Sequence, residues 1–420
     1  MRFLTALRAS SVKWAALFLL PATWFLVIEW ARFAERGFGT AVAEAAAFPV
    51  FAVAAVCSAC AAWEAGRLRR SQVWGLAPVR GRLRIAADAM VPVLALAVAA
   101  LAVGLLAASV ALGTPPNSAG MPPLASGALV ALSYAVLGFG VGSVTPRVVG
   151  APLMLIGVYV WMTVPASSNV MWVRHLSGMQ ITSSTVTDSV APAAFAAPVL
   201  LGASAAAGLM LLVSGAGSRI LRAVPAVCCA LAGSLTAYLL VADWGPDAPT
   251  TPRTGATVCA RSGPRICVPR EYAADIPRVH RTATDVLARL ETVGLGRPLT
   301  LALVSRDTAV SPTTWRFDPH PDQDDTALRS VIAWSAMPDV PDCFAHDDGY
   351  TGSDAEIRAW LLLVSGIGEE QVSSAMDATR VQAAAKALAL PPAAQADWFR
   401  ATVTALRSCA PTPEPASRAS

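Results

Sequence analysis

Residues 88–112 read DAMVPVLALAVAALAVGLLAASVAL. Asp88 opens the stretch, and no charged residue follows it before Leu112. As an α-helix, such a run extends about 37 Å at about 1.5 Å per residue, enough to cross roughly 30 Å of hydrocarbon. Working outward, six further stretches qualify: Lys13–Phe33, Ala45–Trp63, Leu124–Thr145, Val148–Ala166, Pro192–Gly215 and Ala223–Asp243. The fourth and fifth of the seven are nearly contiguous and predict a helical hairpin. Trp14, Trp30, Trp63, Trp161 and Trp244 lie near span ends, the interface position such rings prefer. The whole chain agrees with this reading. Its 420 residues are 55% hydrophobic and 14% charged, with a mean hydropathy of +0.53. An average soluble domain is about 25% charged. The balance excludes a disordered chain, a collagen-like chain and an ordinary cytosolic enzyme.

Charge divides the chain in two. The net +4 is about +9 before Trp244 and −5 after it. Residues 1–244 therefore read as a transmembrane domain, 245–254 as a Pro/Thr-rich linker, 255–410 as a polar domain and 411–420 as a disordered tail. Arginines assign sidedness. Arg2, Arg8 and Lys13 precede the first span, Arg67 to Arg84 fill the loop after the second, and Arg147, Arg219 and Arg222 occupy later loops on the same side. The opposite loops hold Arg36 and Arg174. The positive-inside rule predicts a multi-pass plasma-membrane protein with a cytoplasmic N-terminus. Seven spans then place the C-terminal domain outside. The first span lacks an A-x-A site after its apolar core, so it reads as an anchor and not as a cleaved signal.

Within the spans the chemistry is sparse. Cys57, Cys60, Cys228 and Cys229 read as small buried residues. GFGVGS at 138–143 lacks the strand and acidic partner of a dinucleotide loop, so its glycines predict close helix packing, as do Gly202, Ser204, Ala206 and Gly208. Glu29 and Glu44 can reach an interface. No series of carboxylates or histidines runs through the bundle, which argues against a proton relay. Nor is there an arginine-repeat voltage sensor or a selectivity filter.

The C-terminal part predicts an α+β fold. Strand signals lie at Thr257–Ala260, Arg265–Val268 and Leu299–Ser305, with an amphipathic helix near Asp275–Val293. The second half reads as helical: Ser353 and Glu356 form a capping-box pattern, and Pro391-Pro392 opens a last helix toward Cys409. Cys259, Cys267, Cys343 and Cys409 are an even set in a domain expected outside the cytoplasm, and so predict disulfides. Cys259 and Cys267 bracket a Ser-Gly turn signal, which leaves Cys343 with Cys409. A zinc site is the rival, without a close CxxC pair to support it. His175, His280, His320 and His346 sit in no HExxH or GxSxG context. The acidic run Asp318–Asp325 and His346-Asp347-Asp348 read as solvated loops, with weak cation binding the rival. No catalytic residue, metal or cofactor is expected, and the domain reads as a non-enzyme.

The strongest functional signal is the loop Glu64–Ala87, EAGRLRRSQVWGLAPVRGRLRIAA. An apolar LAPV segment between two arginine clusters exceeds what positive-inside topology needs. Glu64, Gly66, Arg67, Leu76, Ala77, Pro78, Val79, Arg82 and Leu83 resemble the loop between the second and third spans of ABC-2-type transporter permease subunits. The resemblance implies a coupling helix that docks on a separate cytoplasmic ATP-binding subunit, and a homo- or hetero-dimer of permeases in the lipid bilayer. ATP-driven closure would then push on Pro78–Arg82 and rock the first three spans. The chain's two lysines, Lys13 and Lys386, supply no GxxxxGK[ST] loop, consistent with an ATPase on another chain. No nucleic-acid partner is expected. Family members typically have six spans with both ends inside. The seventh span and large C-terminal domain depart from that pattern, and leave open a non-transporting anchor or sensor that displays a binding domain.

Overall fold

A computed structural model describes residues 10–72, 81–179, 182–214, 219–255, 257–260, 263–305, 307–320, 323–337 and 352–408. The chain divides into two compact units, residues 1–251 and 252–420.

The first unit is helical. Its helices are α1 (Val12–Ala31), α2 (Gly39–Ala47), α3 (Val50–Arg70), α4 (Arg82–Leu112), α5 (Met121–Val144), α6 (Arg147–Thr163), the short α7 (Met171–Leu176), α8 (Pro192–Ser214) and α9 (Arg219–Val241). With α2 and α3 taken as one broken stretch, seven of these are long and apolar enough to cross a membrane. The second stretch differs from its expected form. The sequence predicts one span from Ala45 to Trp63, but the helix begins at Gly39, breaks at Phe48-Pro49 and continues to Arg70. Pro49 lacks an N–H, so the break sits where a helical hydrogen bond is already forfeited.

α3 is the most enclosed of these stretches. It packs on α1, α4, α5 and α6, and the hairpin helices α5 and α6 each contact α3 more extensively than each other. Its buried face is built from Ala54, Ala55, Cys57, Ser58, Ala61, Ala62 and Ala65. Such small residues let neighbouring backbones approach. Gly138 and Gly142 complete the contact from α5. A Cβ on either would lie 2.1 Å from a carbonyl oxygen of α3, that of Ser58 or Ala62. The GFGVGS glycines thus serve helix packing. The same device joins α8 to α9, where Gly208 faces the Ala226 carbonyl and Gly233 faces Ser204. Outward, Ile220, Leu221, Val224, Leu231, Leu235 and Leu239 of α9 are exposed.

The second unit carries a four-stranded sheet of β3 (Thr257–Cys259), β4 (Arg265–Pro269), β5 (Thr300–Ala302) and β6 (Thr314–Arg316), in that order. β1 (Asp188–Val190) and β2 (Thr250–Pro252) form a separate pair. β3 and β4 are antiparallel, while β4–β5 and β5–β6 are parallel. Parallel β4 and β5 require a crossover, supplied by α10 (Ile276–Thr292). Its stripe of Val279, Ala283, Val286, Leu287 and Leu290 is buried, as are Ile266, Val268 and Leu301 of the sheet. α11 (Asp325–Trp334), α12 (Gly352–Val364), α13 (Glu369–Ala375), α14 (Ala378–Leu388) and α15 (Pro392–Arg407) complete the helical half. Asp324 and Asp377 cap α11 and α14 through the Ala327 and Thr379 N–H groups. Trp360 of α12 is fully buried against Trp398 and Phe399 of α15.

The helix expected near Ser353 runs from Gly352, and Glu356 accepts from Arg380 at 2.8 Å. The sequence reading omitted β6, a three-residue strand with no alternation to reveal it.

Candidate functional site

The arginine-rich end of the first unit contains the described part of the predicted coupling loop. Glu64, Gly66 and Arg67 are not in a loop: α3 continues through them to Arg70. The helix persists because Ala61 to Arg70 contains no breaker except Gly66, and three arginines in its last turn complement the helix dipole. Leu76, Ala77, Pro78 and Val79 lie outside the described residues. Arg82 opens α4.

Glu64 and Gly66 of the motif, with Arg69 and Arg147 beside them, tie helix ends together. The Glu64 carboxylate, 1% exposed, accepts from the Ser10 hydroxyl at 2.9 Å and from the Ser11 N–H at 3.1 Å. It therefore sits at the N-terminus of α1, where backbone N–H groups lack helical partners and negative charge is favoured. Arg67 approaches the other oxygen of Glu64 at 2.7 Å. Gly66 admits the start of α6: a Cβ there would stand 2.8 Å from the Arg147 Cβ. Arg147 in turn lays its guanidinium over Trp63 at 4.7 Å. Arg69 donates to the Val144 carbonyl at 2.6 Å, closing the C-terminal end of α5. The end of α3 is thus fastened to α1, α5 and α6 immediately before the chain enters residues 73–80. Sequence reading missed Ser10, Ser11, Arg69 and Arg147 as participants. The paired serines before an apolar run are a readable helix-start signal. Their acceptor, more than fifty residues away, is not.

The opposite end holds a second polar cluster. Glu44 of α2, expected at an interface, is buried. Its carboxylate accepts the Ser184 N–H at 2.9 Å and the Ser184 hydroxyl at 2.6 Å. Burial of a carboxylate is tolerated when such donors replace water. Glu35 accepts from the Val186 N–H at 2.9 Å. His175 reaches the Gly245 carbonyl at 2.9 Å, and its ring meets Trp244 edge-on. A cavity of about 30 Å³ opens beside Ala47, Gly127, His175, Thr182 and Ala248, room on the scale of a water molecule. Glu29, by contrast, makes an exposed pair with Arg32.

In the second unit, Cys259 and Cys267 face each other across β3–β4 and are disulfide-bonded, as the turn signal predicted. Cys343, Cys409 and His346 to Asp348 lie outside the described residues, as do Pro321 and Asp322 of the acidic run. Among the described residues, no group of three or more His, Cys, Asp or Glu side chains could hold a metal ion. Asp285 on α10 is bonded by Arg329 of α11 at 2.6 Å. That hydrogen bond, with Arg289 adding to it, holds the Asp285 carboxyl below its ordinary range.

Residues 266–409 are similar to a family described as a domain of unknown function, DUF7224. No curated protein and no solved structure matches the chain.

Proposed function

We propose that the chain is an ABC-2-like permease subunit that works with a separate cytoplasmic ATP-binding subunit, its N-terminus in the cytoplasm and its C-terminal domain outside. The observation that supports the reading is the fastening of α3 to α1, α5 and α6 by Glu64, Gly66, Arg69 and Arg147. A push on residues 73–82 would reach four helix ends at once, which is what conversion of ATP-driven closure into rocking of the first spans requires. The LAPV segment supplies the apolar surface for docking, and the arginines around it suit an acidic partner cleft. Two permease subunits pair in this scheme.

The test is purification of the intact protein in mild detergent beside a Leu76→Asp variant, with mass spectrometry of what co-purifies. Capture of an ATP-binding subunit by the native chain and its loss from the variant is expected. Absence of such a subunit from both samples would refute the proposal.

A second reading is favoured by the family match, which covers the polar domain and none of the bundle. On that reading the seven helices anchor an exported binding domain and transport nothing. It requires that replacing Leu76 change no function of the cell.

A further inference from the structure

Glu44 has no place in a coupling mechanism confined to the arginine-rich end, yet it is the centre of the most extensively bonded carboxylate cluster at the opposite end. Its two oxygens take both donors of Ser184. The Ser184 hydroxyl oxygen in turn accepts the Val190 N–H at 3.2 Å. Val190 ends β1, and β1 pairs with β2, the segment through which the chain passes after the last candidate span. Two further bonds fix the same junction. The Ala248 N–H donates to the Thr182 hydroxyl at 2.8 Å, and the Ala191 N–H donates to the Pro249 carbonyl at 2.8 Å. The turn between is self-supporting, with the Thr187 hydroxyl donating to Asp188 at 2.6 Å.

We infer that residues 182–191 form a strap that makes the chain leaving α9 move with α2. Residues 245–254, expected as a linker, are held by hydrogen bonds over residues 245–251. The strap's anchor is a short helix buried on every side, continuous with α3 through the Phe48-Pro49 break. Displacement of α3 therefore has a covalent route to α2 and a hydrogen-bonded route from Glu44 to Thr251. The strap carries the state of the bundle to the root of the C-terminal domain. The inference is independent of what drives α3, and stands or falls apart from the permease reading.

Hydrogen exchange on the intact detergent-purified protein tests it. Glu44→Gln removes the charge and one acceptor while keeping the shape. Weakening a buried charge-assisted hydrogen bond should raise local opening about tenfold or more, and exchange reports that opening. Faster exchange is expected at residues 184–191 and also at 248–251, two hundred residues from the substitution. Energetic coupling is reciprocal. Ala248→Pro, which deletes the donor to Thr182, should accelerate exchange at Ser184. Ser184→Ala supplies the same reading if Glu44→Gln does not fold. Ser126→Ala, which removes a neighbouring bond to the Phe195 carbonyl, should leave both segments unchanged. Acceleration confined to 184–191, or an Ala248→Pro protein with native exchange at Ser184, would overturn the strap.

Discussion

Replacing Gly142 by Ala tests the packing of α3 with the least chemical change. The added methyl carbon would lie 2.1 Å from the Ala62 oxygen and 2.6 Å from the Ala62 Cα. Both are main-chain atoms, so no side-chain rotation clears the clash. Real Cβ contacts begin near 3.0 Å, so α5 must retreat from α3 by about 1 Å at this point. Overpacking of this kind costs about 1–3 kcal/mol. At about 2–4 °C per kcal/mol for a unit of this size, the unfolding midpoint should fall by about 2–12 °C. Gly138→Ala meets the Ser58 oxygen at the same 2.1 Å and should cost a similar amount. One retreat of α5 relieves both, so the double variant should cost clearly less than the two singles added together. The buried thiols of Cys57 and Cys60, on α3 itself, provide the assay: with Cys228, which is exposed and not buried as expected, and half-buried Cys229 replaced by Ser, and with Cys343 and Cys409 blocked beforehand, their reaction with a thiol-specific fluorophore during heating reports exposure of this helix. Gly157→Ala is the control, because nothing lies within 4 Å of the added carbon. It should be neutral or stabilising by up to about 1 kcal/mol. Midpoints for Gly138→Ala and Gly142→Ala equal to that of the Gly157 control would refute the close approach. Strict additivity would refute the shared displacement.

Other expectations concern single contacts. Glu64→Ala leaves the Ser10 hydroxyl and the Ser11 N–H without their acceptor, so it should cost about 1–3 kcal/mol and accelerate amide exchange in the first turn of α1. Replacing Cys259 and Cys267 together by Ser frees a short loop whose closure is worth about 2.5 kcal/mol in the chain-entropy model, visible as earlier thermal opening of β3, β4 and α10. Asp285 titrates below its ordinary value in the folded chain, so its contribution is present above about pH 4 and is lost as pH falls through the lowered value. Asp285→Asn should accordingly destabilise the α10–α11 contact at pH 6. The difference should shrink as pH falls through the lowered value, and a difference that stays constant with pH would contradict the assignment to the Arg329 bond.

Much of this architecture was legible because hydropathy over long windows depends on composition alone. The seven candidate spans, the β3–β4 disulfide and the amphipathic stripe of α10 all follow from local pattern, whereas the division of the chain falls at Thr251 and not at Trp244. What was not legible depends on distant partners. Nothing near Glu44 announces Ser184, and an apolar stretch holding one carboxylate reads equally well as an interface. Similarly, the extension of α3 through Glu64 to Arg70 is concealed by its charge: hydropathy ends the span at Trp63, whereas the helix ends only where its backbone bonds do. The three-residue strands β1, β2 and β6 are too short for a period to register without a longer run such as Leu299–Ser305 around them. The pattern of residues 64–83 was legible, but the ties that Glu64 and Gly66 make between helix ends required coordinates.

In the proposed function, residues 76–79 dock on an ATP-binding subunit. A photo-crosslinking amino acid at Val79, activated in intact cells and followed by mass spectrometry of the adducts, tests this most directly. A covalent adduct with an ATP-binding protein, lost when Leu76→Asp is added, is expected. Adducts with lipid alone, or an unchanged pattern in the Leu76→Asp chain, would contradict it.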